Sequence, residues 1–117
     1  MSPAAVGIDI TKISRISELV KNGRFLERFF SESERAYFAA KARPDESAAA
    51  NFAGKEAFLK AMKIGIGAVP LSEIEILREP SGAPYVRLSG KAKALAEEKN
   101  ARHIEISLSH DGGIAAA

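Results

Sequence analysis

The chain has 117 residues, of which 46% are hydrophobic and 27% are charged, and its formal net charge at pH 7 is +2. This composition predicts one globular domain over residues 1–117 and excludes a wholly disordered chain. There is no cysteine, which excludes a disulfide framework, a thiol nucleophile and a thiolate metal site. No apolar run has the length of a signal peptide or a membrane span, so we expect a cytoplasmic protein with no membrane partner.

The chain begins with a predicted strand over residues 4–10, where apolar side chains alternate with Gly7 and Asp9. Asp9 then points away from the apolar face at the end of the strand, where an unpaired carboxylate would be costly. It therefore needs a backbone amide of the next helix, a basic side chain or a metal ion as its partner. From the residues alone, capping of the next helix is the favoured interpretation.

Three short helices are predicted next. Thr11 is the expected N-cap of the first, the second covers residues 24–30, and Ser31 with Glu34 has the capping-box spacing that opens a third helix through about residue 42. Positive charge collects in this part of the chain, which favours an acidic protein or a nucleic acid as a partner. The residues concerned are Lys12, Arg15, Lys21, Arg24 and Arg28.

The longest predicted helix begins near Ser47, after a stop at Pro44, and ends before Gly65. At about 100° per residue, one face collects small and apolar side chains suited to burial, namely Gly54, Ala57, Phe58, Ala61 and Met62. The opposite face presents Glu56, Lys60 and Lys63 in one row. A carboxylate there can bind a hard cation such as Mg²⁺ while the lysines neutralise phosphate oxygens. From the helix alone, an ordinary solvated face with a Glu–Lys pair is the favoured interpretation.

The second half of the chain predicts four more strands and one more helix. The strands cover residues 74–78, 85–88, 104–109 and 114–117, and the helix covers 90–99 with Ser89 as its cap. Asp111-Gly112-Gly113 is the expected hairpin turn before the last strand. Hairpins and helices without regular βαβ repetition predict an α+β fold, with an antiparallel sheet packed against the long central helix.

Two short sequence patterns resemble known motifs, a hydrolase triad and a phosphate-binding loop, but both motifs are excluded. Ser109, His110 and Asp111 are adjacent on a strand, so they point to alternate faces and cannot form a hydrolase triad. His110 can instead donate to a phosphate or make a structural bond to the turn, and the residues do not decide between these roles. Gly65-Ile66-Gly67 is too short for a phosphate-binding loop and follows a helix, but it lets a ligand approach the backbone.

Taken in order, four segments resemble the 4′-phosphopantetheinyl transferases, and most of all the small members of that family. The segments are Val6-Gly-Ile-Asp-Ile10, Phe52-Ala-Gly-Lys-Glu-Ala-Phe-Leu-Lys-Ala61, Gly82-Ala-Pro84 and Ser107-Leu-Ser-His110. The similarity runs from about residue 6 to the C-terminus. Several positions depart from the family pattern. Asn51 stands where relatives often carry arginine, and Gly54 stands where alanine is usual. Lys63-Ile64 replaces a common Gly-Thr, and Ala83 stands where a basic residue often separates glycine from proline.

The resemblance implies an enzyme of fatty acid biosynthesis. It would transfer 4′-phosphopantetheine from coenzyme A to a serine of an acyl carrier protein and release adenosine 3′,5′-bisphosphate. By resemblance, Asp9 and Glu56 hold Mg²⁺ or Mn²⁺, and Lys60 contacts the phosphates. Further coenzyme A contacts are expected at Lys55, Gly65 and His110. The proton of the serine could pass to Glu56 or to a metal-bound water.

The resemblance also implies partners. Carrier proteins are acidic and dock on the first helix in this family, so Arg15 is the leading expected contact and Arg24 and Arg28 follow. A homotrimer with active sites between subunits is expected, and nucleic acid is not an expected partner. Two other hypotheses remain: a non-catalytic basic module that binds nucleic acid, favoured by the pI of about 9.0, and a trimeric scaffold without turnover, motivated by Asn51.

Overall fold

The structure is a computed structural model, and it describes residues 5–117. The helices are α1 (Ile13–Leu19), α2 (Gly23–Phe29), α3 (Glu32–Ala39), α4 (Pro44–Met62) and α5 (Gly90–Glu98). The strands are β1 (Ile10–Lys12), β2 (Ile74–Arg78), β3 (Pro84–Leu88), β4 (Ser109–Asp111) and β5 (Ile114–Ala116). The predicted α+β class is confirmed, but the described strands form two antiparallel sheets, one in the order β1-β5-β4 and one pairing β2 with β3.

Helix α4 lies at the centre of the fold and contacts α1, α3, β1, β2 and β5. The predicted apolar face is confirmed, since Gly54, Phe58 and Met62 are buried. Phe52 and Leu59, which periodicity places beside the polar row, are buried as well. The helix is therefore covered on most of its circumference, and Glu56 and Lys60 stand at the gap in this cover.

Both ends of α4 differ from the sequence prediction. Pro44 is the first residue of the helix rather than a stop, because its missing N–H and fixed φ suit the first helical position. The helix ends at Met62, and Lys63 adopts a left-handed conformation with φ of 58°. Lys63 thus leaves the row predicted with Glu56 and Lys60. In residues 5–117, no helix combines the length and the apolar character needed to span a membrane.

The predicted N-terminal strand is wrong in its position. Ala4 lies outside the described residues, residues 5–9 are not a strand, and β1 begins at Ile10. Asp9 continues the β1–β5 ladder by one step, since its N–H donates to Ala117 O and the Ala117 N–H donates to Asp9 O, each at 3.0 Å. Before this step the chain crosses α4 at Gly7, where a Cβ atom would overlap the Ala57 carbonyl oxygen. The close contact, rather than strand pairing, sets the path of this segment.

The strand predicted over residues 104–109 is also wrong, because only Ser109–Asp111 pairs as β4. The alternating side chains do bury one face, since Ile104, Ile106 and Leu108 pack against the core. No strand of the described chain lies beside their backbone, so the pattern is satisfied without a sheet.

Two predicted helix caps are replaced by other groups. Thr11 lies in β1, and its hydroxyl donates to Asp9 Oδ2 at 2.8 Å instead of capping α1. Ser89 makes no side-chain cap bond, and Glu73 Oε1 accepts the Ala92 N–H at the start of α5. The capping box of Ser31 and Glu34 is confirmed at the start of α3.

Candidate active site

Asp9, Glu56 and Lys60 lie together at one side of α4, and we call these three residues the acidic group. Lys60 Nζ lies 3.0 Å from Asp9 Oδ1 and also donates to the Ile8 carbonyl oxygen at 3.0 Å. The other oxygen of Asp9 accepts the Thr11 hydroxyl. Asp9 is therefore paired with a basic side chain, and the helix-capping interpretation of this residue is wrong.

Glu56 lies close enough to Asp9 and Lys60 for their charges to act on its carboxyl. Burial raises the pKa of its carboxyl above the ordinary value, and the negative charge of Asp9 raises the pKa further. The positive charges of Lys60 and Arg15 act in the opposite direction. Four charges from α1, α4 and the segment before β1 thus converge, and no hydrogen bond or ion pair among residues 5–117 satisfies the Glu56 carboxylate.

The donor set fits a divalent cation that keeps most of its ligands outside the protein. The described residues contain no group of three His, Asp or Glu side chains that could hold a metal. Two carboxylates suit Mg²⁺, which commonly binds one or two carboxylates and completes its octahedron with water and substrate phosphate. The repulsion that raises the pKa of Glu56 is the interaction that a cation between these two carboxylates would relieve.

The structure does not place Lys55 beside Asp9, Glu56 and Lys60, and the buried side chain does not support the predicted coenzyme A contact. The Lys55 side chain is 0% exposed and pairs with Glu34 at 2.7 Å. Its remaining donors reach the carbonyl oxygens of Leu71 and Ile74. All three ammonium protons are therefore used inside the core, where burial lowers the pKa of Lys55. Its role is structural.

His110 and Gly65 lie apart from the three charged residues. His110 is half-exposed on β4 and lines a second pocket, and its Nδ1 is 3.7 Å from Glu46 Oε2. Gly65 is in the exposed loop after α4, where its carbonyl accepts the Ala68 N–H. The structure joins neither residue by a hydrogen bond to Asp9, Glu56 or Lys60.

The predicted basic residues form an exposed surface on α1 and α2. Arg15, Arg24 and Arg28 are all exposed. Phe25 and Phe29 of α2 are half-buried, with ring centroids 4.7 Å apart, and the guanidinium carbon of Arg28 lies 5.5 Å from the centroid of the Phe29 ring. Arg15 also acts on the pKa of Glu56, so this surface adjoins the acidic group.

Sequence reasoning missed the structural roles of three residues, of which only Gly7 positions Asp9 beside Lys60. Gly7 allows the chain to cross α4 and so places Asp9, but contact between elements leaves no local pattern. Glu34 was recognised as a capping residue, and nothing local indicates its second role as the partner of Lys55. Arg78 did leave a signal, because it takes an inward position on β2 after Ile74 and Ile76.

Comparison with known families shows the class of enzyme to which this fold belongs. The family model of the 4′-phosphopantetheinyl transferase superfamily matches residues 5–116. The chain belongs to this superfamily. Among its members it groups with the enzymes named holo-[acyl-carrier-protein] synthase.

Three relatives illustrate the similarity. The synthase of Moorella thermoacetica is 46% identical over 112 residues, covering 95% of this chain and 88% of the relative. The crystal structure of the Helicobacter pylori synthase in complex with coenzyme A is 39% identical, with a TM-score of 0.82 and coverage of 95% and 94%. The crystal structure of the Neisseria meningitidis synthase is 30% identical, with a TM-score of 0.87 and coverage of 96% and 92%.

Proposed function

We propose that this chain, as one catalytic domain, transfers 4′-phosphopantetheine from coenzyme A to a serine of an apo acyl carrier protein in cytoplasmic fatty acid biosynthesis. The observation that carries the proposal is the contact of Lys60 with Asp9 beside the Glu56 carboxylate. The relatives named holo-[acyl-carrier-protein] synthase, one of them crystallised with coenzyme A, support the choice of both substrates.

In the proposed reaction the serine hydroxyl oxygen forms a bond to the β-phosphorus of coenzyme A. The bond from that phosphorus to the bridging oxygen breaks, and adenosine 3′,5′-bisphosphate leaves. Such a transfer depends on positioning and on neutralisation of charge more than on covalent help from the protein. Lys60, whose side chain is half-exposed, can turn its ammonium from Asp9 to a pyrophosphate oxygen.

Asp9 and Glu56 would hold Mg²⁺ or Mn²⁺. When bound, the ion supplies neutralisation of the charge that develops on the pyrophosphate. Asp9 is kept in place by the Thr11 hydroxyl, so one of the two carboxylates is oriented before any ligand arrives. The serine proton would pass to Glu56 or to water.

The surface of Arg15, Arg24 and Arg28 fits an acidic carrier protein. Exposed guanidinium groups steer an anionic partner over a range of about 10 Å at 0.1 M salt. The half-buried rings of Phe25 and Phe29 add apolar surface on the same helix as Arg24 and Arg28. Because Arg15 adjoins Glu56, a carrier docked here would present its serine near the acidic group.

The same proposal includes a homotrimer. Val6, Ile8 and Ile10 are 83%, 67% and 65% exposed. They occupy alternate positions of one extended segment, and an exposed apolar stripe of this kind is unusual. The nearby segments 5–8 and 101–108 lack strand partners in the described chain. A neighbouring copy would cover both features. Light scattering after size exclusion tests this directly: we expect three times the chain mass for the wild type and a smaller species for Ile8→Asp.

The test of the function is intact mass spectrometry of an apo acyl carrier protein incubated with the chain, coenzyme A and Mg²⁺. We expect the mass of one phosphopantetheine arm to be added, and EDTA to prevent the addition. A folded chain that modifies no carrier protein would contradict the proposal. Binding to RNA or DNA that weakens steeply with salt would then favour a nucleic-acid module, and coenzyme A binding without transfer would favour an inactive scaffold.

Asp9→Ala and Glu56→Ala test the site within this assay. Each removes one of two carboxylates, so we expect transfer to fall at least a hundredfold while the far-ultraviolet circular dichroism stays close to that of the wild type. Asp111→Ala is the matched control, because Asp111 is an exposed acid on β4. Transfer at the wild-type rate in either site variant would exclude the assigned role.

A further inference from the structure

A cavity of about 390 Å³ lies between α1, α2, α3 and the start of α4, and we call it the α1–α4 cavity. It shares no lining residue with the pocket of His110, and neither Asp9, Glu56 nor Lys60 lines it. The α1–α4 cavity is therefore separate from the residues assigned to the proposed transfer. Its volume is within the range of about 300–1,000 Å³ that is typical of sites for small molecules.

Most of the wall of this cavity is apolar. The apolar lining residues are Val20, Leu26, Phe38, Ala39, Pro44 and Ala48. Phe38 and Ala48 belong to the buried core, and Val20 and Leu26 pack against that core. The wall is thus held in place by the fold, and it suits an alkyl chain, which loses no hydrogen bond when it leaves water.

The side chain of Arg35 lines the same cavity without a partner. Its Nε is buried and makes no hydrogen bond, and among residues 5–117 its guanidinium forms no ion pair. The residue is half-buried, and a partly desolvated cation without a counter-charge is unfavourable. Only Nε is fully buried, so Nη1 and Nη2 remain accessible to a ligand.

Two other charged residues line the cavity, and neither compensates Arg35. Asp45 lies in the first turn of α4, where the helix N-terminus favours a negative charge, and its Oδ2 accepts the Ser17 hydroxyl. Lys21 is exposed and pairs with Glu18 at 3.1 Å. The guanidinium of Arg35 is therefore the charge in this lining that a ligand can compensate.

We propose that the α1–α4 cavity binds a small molecule with an unbranched alkyl chain and one carboxylate. The chain packs on the apolar wall, and the carboxylate accepts from Nη1 and Nη2 of Arg35, the bidentate pairing that guanidinium groups favour. A neutral ligand would leave Arg35 unpaired, and a cationic one would add repulsion. Asp45 disfavours a doubly charged head group such as a phosphate monoester.

The test is a nitrogen-15 NMR titration of the wild type with octanoate, octan-1-ol or octylammonium, each below the concentration at which it forms micelles. The three probes share one alkyl chain and differ in the head group. We expect the Kd of octanoate to be at least tenfold lower than that of octylammonium, with octan-1-ol between them, because pairing with Arg35 adds a charge-assisted contact. The largest shifts should come from the amides of Ser17, Val20, Phe38 and Ala48.

Three variants assign the two parts of the ligand. Arg35→Gln should raise the Kd of octanoate about tenfold or more and leave that of octan-1-ol within about twofold, since only the charged contact is lost. Val20→Phe fills part of the cavity and should weaken octanoate and octan-1-ol alike, by about fivefold or more. Arg102→Gln removes an exposed arginine outside the cavity lining and is the matched control, with no expected change.

Three results would overturn the inference. They are a wild type that binds octanoate no more tightly than octylammonium, shifts confined to residues outside the cavity, and a Kd of octanoate in folded Arg35→Gln within about twofold of the wild type. The first two need no variant, so they remain decisive if Arg35→Gln does not fold. The titration contains neither coenzyme A nor a carrier protein, so its outcome is independent of the proposed function.

Discussion

At the scale of single residues, a series of hydrogen bonds links the buried core to the pocket that Arg78 lines. Glu34 accepts from Lys55 at 2.7 Å and from Asn51 at 3.0 Å, and Asn51 accepts from Arg78 at 2.9 Å. Buried charges are tolerated only when they are paired and hydrogen-bonded, and each member of this chain satisfies the next. The adjacent residues Lys55 and Glu56 of the helix motif are therefore placed differently: Lys55 is paired inside the core, and Glu56 lies beside Asp9 and Lys60.

Replacement of Lys55 tests this division. Lys55→Met leaves the Glu34 carboxylate buried without its cation, so we expect the free energy of unfolding to fall by about 3–5 kcal/mol. Urea unfolding provides the measurement. Lys93→Met, at an exposed position on α5, is the matched control and should change stability by less than about 0.5 kcal/mol. A loss of coenzyme A affinity without a loss of stability would instead restore the predicted ligand contact of Lys55.

A second ion pair makes stability depend on pH. Hydrogen bonds from Arg87 hold the pKa of Glu75 below its ordinary value, against the opposing effect of burial, and the Ser31 hydroxyl adds to the lowering. A carboxylate with a lowered folded pKa stabilises the protein above its unfolded pKa of about 4.3, and this contribution is lost as the pH falls through the folded pKa.

We therefore expect Arg87→Gln to be less stable than the wild type near neutral pH, with a difference that shrinks as Glu75 is protonated in acid. Urea unfolding of both proteins across this range measures the difference. A difference that stays constant down to strongly acidic pH would show that Glu75 is not the group responsible.

At the scale of elements, the site depends on how closely the segment before β1 approaches α4. Gly7 lies against the helix backbone at Ala57, and two residues later Asp9 meets Lys60. A backbone segment that crosses a helix at this distance has no room for a side chain, which is a reason for glycine independent of backbone conformation. The spacing between Gly7 and Asp9 thus sets the position of the carboxylate.

Gly7→Ala should displace this segment, because its Cβ would overlap the Ala57 carbonyl oxygen. We expect transfer to fall at least tenfold and the affinity for Mg²⁺ to fall with it, since Asp9 no longer meets Glu56 correctly. Gly23→Ala is the control, because a Cβ there meets nothing within 4 Å. Equal activity of Gly7→Ala and Gly23→Ala would show that the close approach does not position the site.

At the scale of the whole molecule, the basic surface lies next to the acidic group, because the charge of Arg15 acts on Glu56. The net charge of +2 is small, so the attraction of an acidic partner depends on the local surface of α1 and α2 rather than on the total. Exposed charges of this kind change association rates and salt dependence more than they change the chemical step.

Arg15→Glu should therefore weaken the use of the carrier protein by about tenfold in kcat/KM at low salt, with the difference shrinking as salt is added. Titration calorimetry should show coenzyme A affinity close to that of the wild type. Lys99→Glu reverses a charge at the end of α5 and should have little effect. Carrier kinetics unchanged in Arg15→Glu would contradict the docking surface.

The sequence alone determined the α+β class, the apolar face of α4 and the capping box of α3, because these follow from local periodicity and from contacts within one turn. It also indicated Asp9, Glu56 and Lys60 as candidates, through their types and through a family resemblance. Without the resemblance, physical reasoning favoured a purely structural role for each carboxylate: Asp9 as a helix cap and Glu56 as part of a solvated helix face.

Only the tertiary structure decided which candidates meet. Asp9 lies 51 residues before Lys60 in the chain, and their ion pair exists because Gly7 lets one backbone pass over another. Lys55 is one residue from Glu56, yet it points into the core and its charge is used by Glu34. Strands predicted from alternation failed where no neighbouring strand was present to pair with them. Burial and pairing between distant segments are properties of packing, and no local pattern encodes them.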